Sequence, residues 1–452
     1  MIDVDRAHLA LLHAREEDRF ARTHPASRSR VDEAAANLLG GVPMNWMARW
    51  PGAFPVFAAE AHGAHLADVD GNDYIDFCLG DTGAMTGHAP EATVRAIAAQ
   101  ARDGLSMMLP TDDAIAVGAE LTRRFGLPIW QIATSATDAN RFALRLARQV
   151  TGRQKILVFN WCYHGTVDEA LITLGADGRS VAREGHLGPP VDPAVTTAVV
   201  EFNDIAALER VLATGEVAAV LAEPVMTNIG IIHPDPGYHD ALRRITRDTG
   251  TLLLIDETHT FCTGPGGYTR EHGLEPDLFT IGKPIAGGLP AGAYGMTRAV
   301  ADQVHDLVTG PDSDVAGIGG TLAGNALTLA AIRATLAEVL TDEAFARMLP
   351  LGQRWADGVE QVIDSHALPW SVTRLGARAE YWFLPERPRS GGDAAAGIDP
   401  ALDAFMHLYA LNRGIMLTPF HNMALMSPAT TEADVDRHTE VFAAAVDELL
   451  TP

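Results

Sequence analysis

The 34 basic residues of this 452-residue chain include only two lysines, Lys155 and Lys283. Lys283 follows the apolar run LFTIG and precedes a glycine-rich segment, PIAGGLPAG. Amines in apolar, partly dry surroundings shed their proton readily and become nucleophiles able to form a Schiff base, which a guanidinium cannot do. The segment lacks the GxxxxGK[ST] order of a phosphate-binding loop. Two other apolar runs deliver carboxylates: TLLLIDE ends on Asp256 and Glu257, and VAAVLAEP ends on Glu223. A further run, IWQIATSATDANRF, passes through Thr134, Ser135 and Thr137 into a helical pattern. Hydroxyls there cap free N–H groups and with them form a site for an anion. Each feature alone is also what ordinary capping or a solvated loop would leave. With Tyr163 in NWCYHG, they make up the parts list for an aldehyde cofactor such as pyridoxal phosphate: an amine, an anion cup, a carboxylate for the ring nitrogen and an aromatic face.

The elements that must position these groups follow from periodicity. From about residue 95, amphipathic helical segments (92–102, 113–125, 139–150) alternate with short, almost wholly apolar runs at 129–133, 155–159, 196–202, 217–224, 251–257 and 278–282. Strands apolar at successive positions and spaced by helices predict an α/β fold with a parallel sheet covered on both faces. Ligands of such sheets collect at the carboxyl ends of the strands, where the polar residues above fall. The first forty residues read as helix ended by the glycines at 40–41, and HLADVDGNDYIDF reads as two strands about an Asp-Gly turn. Long helices after residue 325 predict a smaller α+β domain, and RPRSGGDAAAGIDP (387–400) reads as a mobile surface loop. The expected division is 1–69 as an N-terminal segment packing with the small domain, 70–325 as the large cofactor domain and 326–452 as the small domain.

A net charge of −24 argues against non-specific nucleic-acid binding and against anionic membranes, leaving small molecules as the expected partners. Three isolated cysteines, without metal-ligand spacing, suggest a reducing cytoplasm and no metal.

In consistent order from about residue 37 onward, the chain resembles the class III (omega) aminotransferases, in the branch near glutamate-1-semialdehyde aminomutase. ADVDGNDYIDF is similar to that family's opening hairpin and GHAPEATVRAI to the helix after it. TSATDANRFALRLAR resembles its phosphate cup, YHG its ring-stacking motif, AEPV its glutamate strand, LLLIDE its pyridinium aspartate, PDLFTIGKPIAGGLPAGAYG its Schiff-base lysine segment and GGTLAGNALTLAA its Gly-Thr motif. The resemblance implies a fold type I pyridoxal-phosphate transferase. Its large domain would carry a mostly parallel seven-stranded sheet flanked by helices, with a smaller α+β domain built from both termini. It implies that Lys283 forms the Schiff base and shuttles a proton, and that Asp256 holds the ring nitrogen. Ser135, Ala136 and Thr137 would grip the phosphate, Tyr163 and Thr258 would flank the ring, and His164 and Glu223 would join the cofactor contacts. Thr321 would complete the phosphate site across a homodimer interface.

Departures from the family pattern bear on the substrate. Ala136 replaces a glycine, and Asp138 replaces a glutamate. The strand end reads DETHT, which places His259 beside the cofactor as a proton relay, a substrate contact or a supporting hydrogen-bond partner. Trp161 lines the pocket or simply packs. In GGVPMNWMARWPGAFP, Trp46 and Met47 stand where a carboxylate-binding arginine is expected, with Arg49 two positions on, and Asn422 replaces a glutamate. An apolar pair cannot do the work of a bidentate arginine, so these positions predict a transaminase acting on an amine or amino alcohol and passing the amino group to a keto acceptor through pyridoxamine phosphate. Arg49, Arg378 and Arg413 are the candidates for admitting a carboxylate. The alternatives are a glutamate-1-semialdehyde-type 2,1-aminomutase, a β- or ω-amino acid transaminase, and a non-catalytic cofactor-binding protein.

Overall fold

Short runs of Val, Leu, Ile and Ala can be buried on both faces only in the middle of a layered structure, and six such runs pair with a glycine-containing seventh strand into one sheet. The computed structural model describes residues 4–189, 191–311, 313 and 315–451. Its strands are β1 (Ile129–Ala133), β2 (Lys155–Phe159), β3 (Thr197–Val200), β4 (Val217–Ala222), β5 (Leu252–Asp256), β6 (Leu278–Gly282) and β7 (Gly292–Met296). They lie in the order β1-β7-β6-β5-β4-β2-β3. Only β7 runs against its neighbours; the rest are parallel. The helix Ala136–Thr151 lays Ala139, Ala143, Leu144 and Ala147 on this sheet, and their small volumes let it come close.

The chain packs as two units. One comprises residues 91–342 and 388–396 and contains the large sheet; the other comprises 1–90, 343–387 and 397–452, so both termini belong to it. Against the expected joins at 69/70 and 325/326, the packing divides at 90/91 and 342/343. The reason is local: the helix Ala326–Ala334 packs on the helices Glu91–Asp103 and Asp112–Phe125 of the sheet unit.

The terminal unit holds a four-stranded sheet (Ala58–His62, His65–Asp68, Asp73–Asp76 and Ile415–Met416) and a three-stranded one (Ser371–Leu375, Arg378–Trp382 and Met423–Leu425). The Asp-Gly turn lies where the sequence puts it, with Gly71 at φ 85°. The N-terminal helix does not run to the glycines at 40–41. It breaks at His24, whose φ of −126° ends Arg6–Thr23, and Pro25 opens a second helix ending at Ala34. His24 is buried, its ring 2.7 Å from the Tyr74 hydroxyl, which fixes the break.

Two further differences have physical causes. The strand β7 (GAYGM) escapes a search for apolar runs because it carries two glycines. A Cβ on Gly295 would come within 2.8 Å of the Trp130 ring, and a Cβ on Gly292 would overlap the Ser135 carbonyl. The segment 387–400 is not a free loop. Residues Gly391–Ala396 form a helix, Gly391 is buried against the Asn160 carbonyl, and Asn203 donates to the Arg389 carbonyl at 2.9 Å. Gly292→Ala is expected to lower stability by about 1–3 kcal/mol in thermal or denaturant unfolding, because backbone must move to admit one methyl group.

Candidate active site

The carboxyl ends of β1, β2, β4, β5 and β6 emerge on one edge of the sheet, and each carries a polar group there. Asp256, the last residue of β5, is buried yet fully supplied with donors. Asn140 donates to its Oδ2 at 2.8 Å, the His164 ring lies 2.9 Å from the same oxygen, and the Thr258 N–H donates to Oδ1 at 3.0 Å. Burial opposes ionisation, but the His164 contact and charge, with Thr258 and Asn140, outweigh it and hold Asp256 down at about 2. At His164 burial is outweighed by the Cys162 sulfur and by the Asp256 carboxylate, which push its proton affinity up. An aspartate held ionised in a dry place is what a protonated ring nitrogen requires.

Alternation along the strand end turns Glu257 the other way. It is buried and accepts from the Thr260 hydroxyl and from the backbone N–H groups of Tyr268 and Thr269. At the end of β4, Glu223 accepts from the Thr227 hydroxyl and N–H, and burial pushes it up to about 7 against the opposing influence of His164.

After β1 the chain turns at Ser135, which caps the helix Ala136–Thr151 by accepting from the Asp138 N–H at 3.2 Å. Ala136 adopts no positive φ, so alanine costs nothing where the family has glycine. The Asp138 carboxylate accepts from the Thr134 hydroxyl, which pins the turn. Thr137 accepts from the Thr166 N–H at 3.1 Å, and Gly165 lies so close to it that any Cβ would overlap the hydroxyl. That contact, with φ 81° at Gly165, is why YHG must end in glycine. Tyr163 is half-buried. Thr258 keeps a buried hydroxyl beside Asp256 that meets no well-aligned hydrogen-bond partner among the described residues.

Lys283 follows β6 with φ 45°, a left-handed conformation rare for a lysine, and its Nζ lies 2.8 Å from His259 Nε2. The glycines around it serve protein packing: a Cβ on Gly282 would press on Ala136 at 2.8 Å, and one on Gly287 on Thr93 and Thr335. Lys155, by contrast, pairs with Glu216 at 2.7 Å at the exposed start of β2.

Each of the other expected positions has its own surroundings. Trp161 has φ 67°, and Arg183 covers its ring at 5.5 Å. Thr321 is exposed, in a recess of about 490 Å³ shared with Met108, Leu109, Trp130 and Asn325. In the terminal unit, Trp46 meets Phe420 edge-on at 5.9 Å, while Met47 and Arg49 are exposed. Asn422 is buried; its amide nitrogen donates to Asp403 at 2.9 Å and its oxygen lies 3.1 Å from the His407 ring. Arg413 is taken up by Glu16, at 2.9 Å, and by the Tyr409 ring. Arg378 differs. It is 3 % exposed; among the described residues its side chain bonds to the Thr82 hydroxyl and the Met423 sulfur, and its Nε has no partner. Thr82 is the last of four consecutive residues with positive φ (48°, 58°, 50° and 80° from Leu79), a strained run for a β-branched residue.

Asn140 is the functional candidate that motif reading missed. It bridges Asp256, the His164 carbonyl and the Thr280 hydroxyl, all in the interior. The available signal was an asparagine on the apolar face of an amphipathic helix, beside Ala139 and Ala143.

A seven-stranded, mostly parallel sheet with an amine, an ionised aspartate and a capped helix at one edge defines the fold type I pyridoxal-phosphate enzymes. The sequence matches the Aminotransferase class-III family over residues 46–446, and the chain belongs to that family. It is 36 % identical over 429 residues to a glutamate-1-semialdehyde 2,1-aminomutase of Chloroflexus aggregans, covering 92 % of this chain and 96 % of that one. A crystal structure of a glutamate-1-semialdehyde-aminomutase from Pseudomonas aeruginosa PAO1 superposes with a TM-score of 0.97 at 50 % identity, covering 99 % of this chain and 100 % of that one. A lysine-to-alanine variant of that protein was crystallised in complex with PMP. An omega-transaminase from Sphaerobacter thermophilus is 31 % identical with a TM-score of 0.86, over 94 % of this chain and 98 % of its own. The protein is thus a pyridoxal-phosphate enzyme, and the ionised Asp256, the orphaned Thr258 hydroxyl and the capped helix fit that cofactor.

Lys283→Ala is expected to abolish the absorbance of the lysine-bound cofactor together with turnover, and Lys155→Ala to leave both unchanged. Spectra and steady-state rates of the two variants check this. Normal turnover by the Lys283 variant would overturn the assignment.

Proposed function

We propose that the protein moves an amino group as a glutamate-1-semialdehyde 2,1-aminomutase does, within one small acidic amino aldehyde. The observation that carries this reading is end-to-end similarity to aminomutases, at 36 % and 50 % identity, in a chain that keeps Lys283, Asp256 and Tyr163. These relatives weigh toward the aminomutase alternative rather than toward intermolecular transfer from simple amines. Arg378 supports an acidic substrate. A buried guanidinium with no carboxylate within ion-pair distance, among the described residues, is costly unless a ligand supplies the anion.

The bound cofactor supplies an electron sink that makes a proton on a nitrogen-bearing carbon removable. Lys283 would hold it through its amine and, once released, would take that proton and give it back. Asp256, kept ionised by His164 and Asn140, would hold the proton on the ring nitrogen. The N–H groups of Ala136 and Thr137, with the Ser135 or Thr137 hydroxyl, would bind the phosphate, while Tyr163 and Thr258 would confine the ring and Glu223 would close its edge. His259, Trp161, Trp46, Met47, Arg49 and Asn422 remain the proposed substrate contacts.

A second reading, transamination between an amine donor and a keto acceptor, is favoured by the apolar Trp46–Met47 pair and by the similarity to an omega-transaminase. The two readings separate on one substrate. Glutamate-1-semialdehyde alone, with no keto acid added, is expected to be converted well beyond one equivalent per site. Conversion that stalls near one equivalent until pyruvate or 2-oxoglutarate is added would establish transamination instead.

The active form is proposed to be a homodimer in which Thr321 reaches the neighbour's phosphate site. An exposed apolar group comprising Leu105, Met107, Met108, Leu109, Ile115 and Leu322 supports this, since such residues are expensive to leave in water. Sedimentation velocity is expected to show at least a dimer; a monomer with full activity would rule the arrangement out. Among the described residues no helix is long and apolar enough to cross a membrane. The cysteines are free and buried, which suits a reducing cytoplasm.

A further inference from the structure

The parallel ladder between β5 and β6 sets His259 beside Lys283, a contact that the proposed mechanism does not use. Asp256 is in register with Thr280, and the Glu257 N–H donates to the Thr280 carbonyl at 2.9 Å. Three residues further along each chain stand His259 and Lys283, whose Nε2 and Nζ are 2.8 Å apart. Both side chains are half-buried. The left-handed backbone at Lys283 and the tight turn Thr260–Thr263 after His259 keep the contact from depending on two free rotors.

Two nitrogens at this distance must share one proton. When the pair carries one positive charge, either an ammonium donates to a neutral imidazole or a protonated imidazole donates to a free amine; two cations in contact would repel. We propose that His259 is the proton carrier of Lys283, a catalytic residue that accepts the ammonium proton when the amine must be nucleophilic and returns it afterwards. In the step one proton passes from Lys283 Nζ to His259 Nε2. The positive charge moves from ammonium to imidazole, no other bond changes, and the reverse transfer restores both groups. The inference rests on Lys283 as the cofactor lysine. It gives the pair a way to cycle repeatedly without waiting for bulk water, which an internal amino-group shift requires twice.

Carboxylates at the neighbouring strand ends have hydrogen-bonded partners of their own. Asp256 is bound to His164 and Asn140, Glu257 to Thr260, Tyr268 and Thr269, and Glu223 to Thr227. Histidine is the side chain suited to the task, since its unperturbed proton affinity lies near neutrality.

The test uses the holoenzyme and the variants His259→Gln, which keeps a polar group but cannot carry a proton, and His259→Ala. Absorbance of the lysine-bound cofactor is titrated without substrate, and the first turnover is followed by stopped flow across pH. In His259→Gln the titration midpoint is expected to move by about one pH unit, and the first-turnover rate to fall by about 100-fold. Added imidazole is expected to restore much of the rate in His259→Ala. An unmoved midpoint overturns the proposal even if turnover slows, because His259 would then be only a substrate contact. Failure of imidazole to restore any rate also overturns it. The titration contains no substrate, so its result stands whether amino transfer proves internal or intermolecular.

Discussion

The site depends on keeping one carboxylate ionised where water is excluded. A buried aspartate without partners would take up a proton and could no longer hold a cationic ring nitrogen. Here three donors from three elements converge on Asp256: Asn140 from the helix after β1, His164 from the loop after β2 and the Thr258 N–H from its own turn. Thr280 orients Asn140 in turn, from the strand that leads to the lysine. The fold is therefore under constraint at several remote points for the sake of one charge.

A second constraint is close approach. The turn that makes the anion cup can reach the sheet edge only because Gly282 and Gly292 leave room for Ala136 and Ser135, and because Gly165 leaves room for Thr137. Glycines flanking a candidate lysine suggest space for a ligand, yet here they chiefly admit other backbone. The same close packing makes β7 unreadable as an apolar run.

The substrate question turns on charges in the terminal unit. Arg413 and Asn422, both plausible readers of a carboxylate or amine when seen in sequence, are engaged by Glu16 and by Asp403 and His407. Among the described residues Arg378 has a hydroxyl and a thioether as its side-chain partners. The positions that depart from the family pattern favour an amine, whereas the acidic substrate proposed above draws on the buried guanidinium and the aminomutase relatives. An arginine's importance here follows from what is absent around it, which no linear pattern displays.

The sequence by itself determined the layered α/β architecture, because continuous apolar runs can be strands only if both faces are covered. It also displayed the residue types expected at the strand ends: the amine of Lys283, the carboxylate of Asp256, the hydroxyls at 135 and 137 and the YHG tyrosine. The limits of the helices and apolar strands read between residues 92 and 282 were legible to within a few residues, whereas the break at His24, the strand β7 and the helix Gly391–Ala396 were not. What only the tertiary structure decided were relations across long separations in the chain. The 116-residue gap between Asn140 and Asp256, the β5–β6 register that sets His259 against Lys283, and the burial of Arg378 with its Nε unpartnered among the described residues all belong to this class. Hydrogen bonds and desolvation act through space at a few ångströms, and the chain's local pattern records which groups exist but not which of them the fold brings within that range.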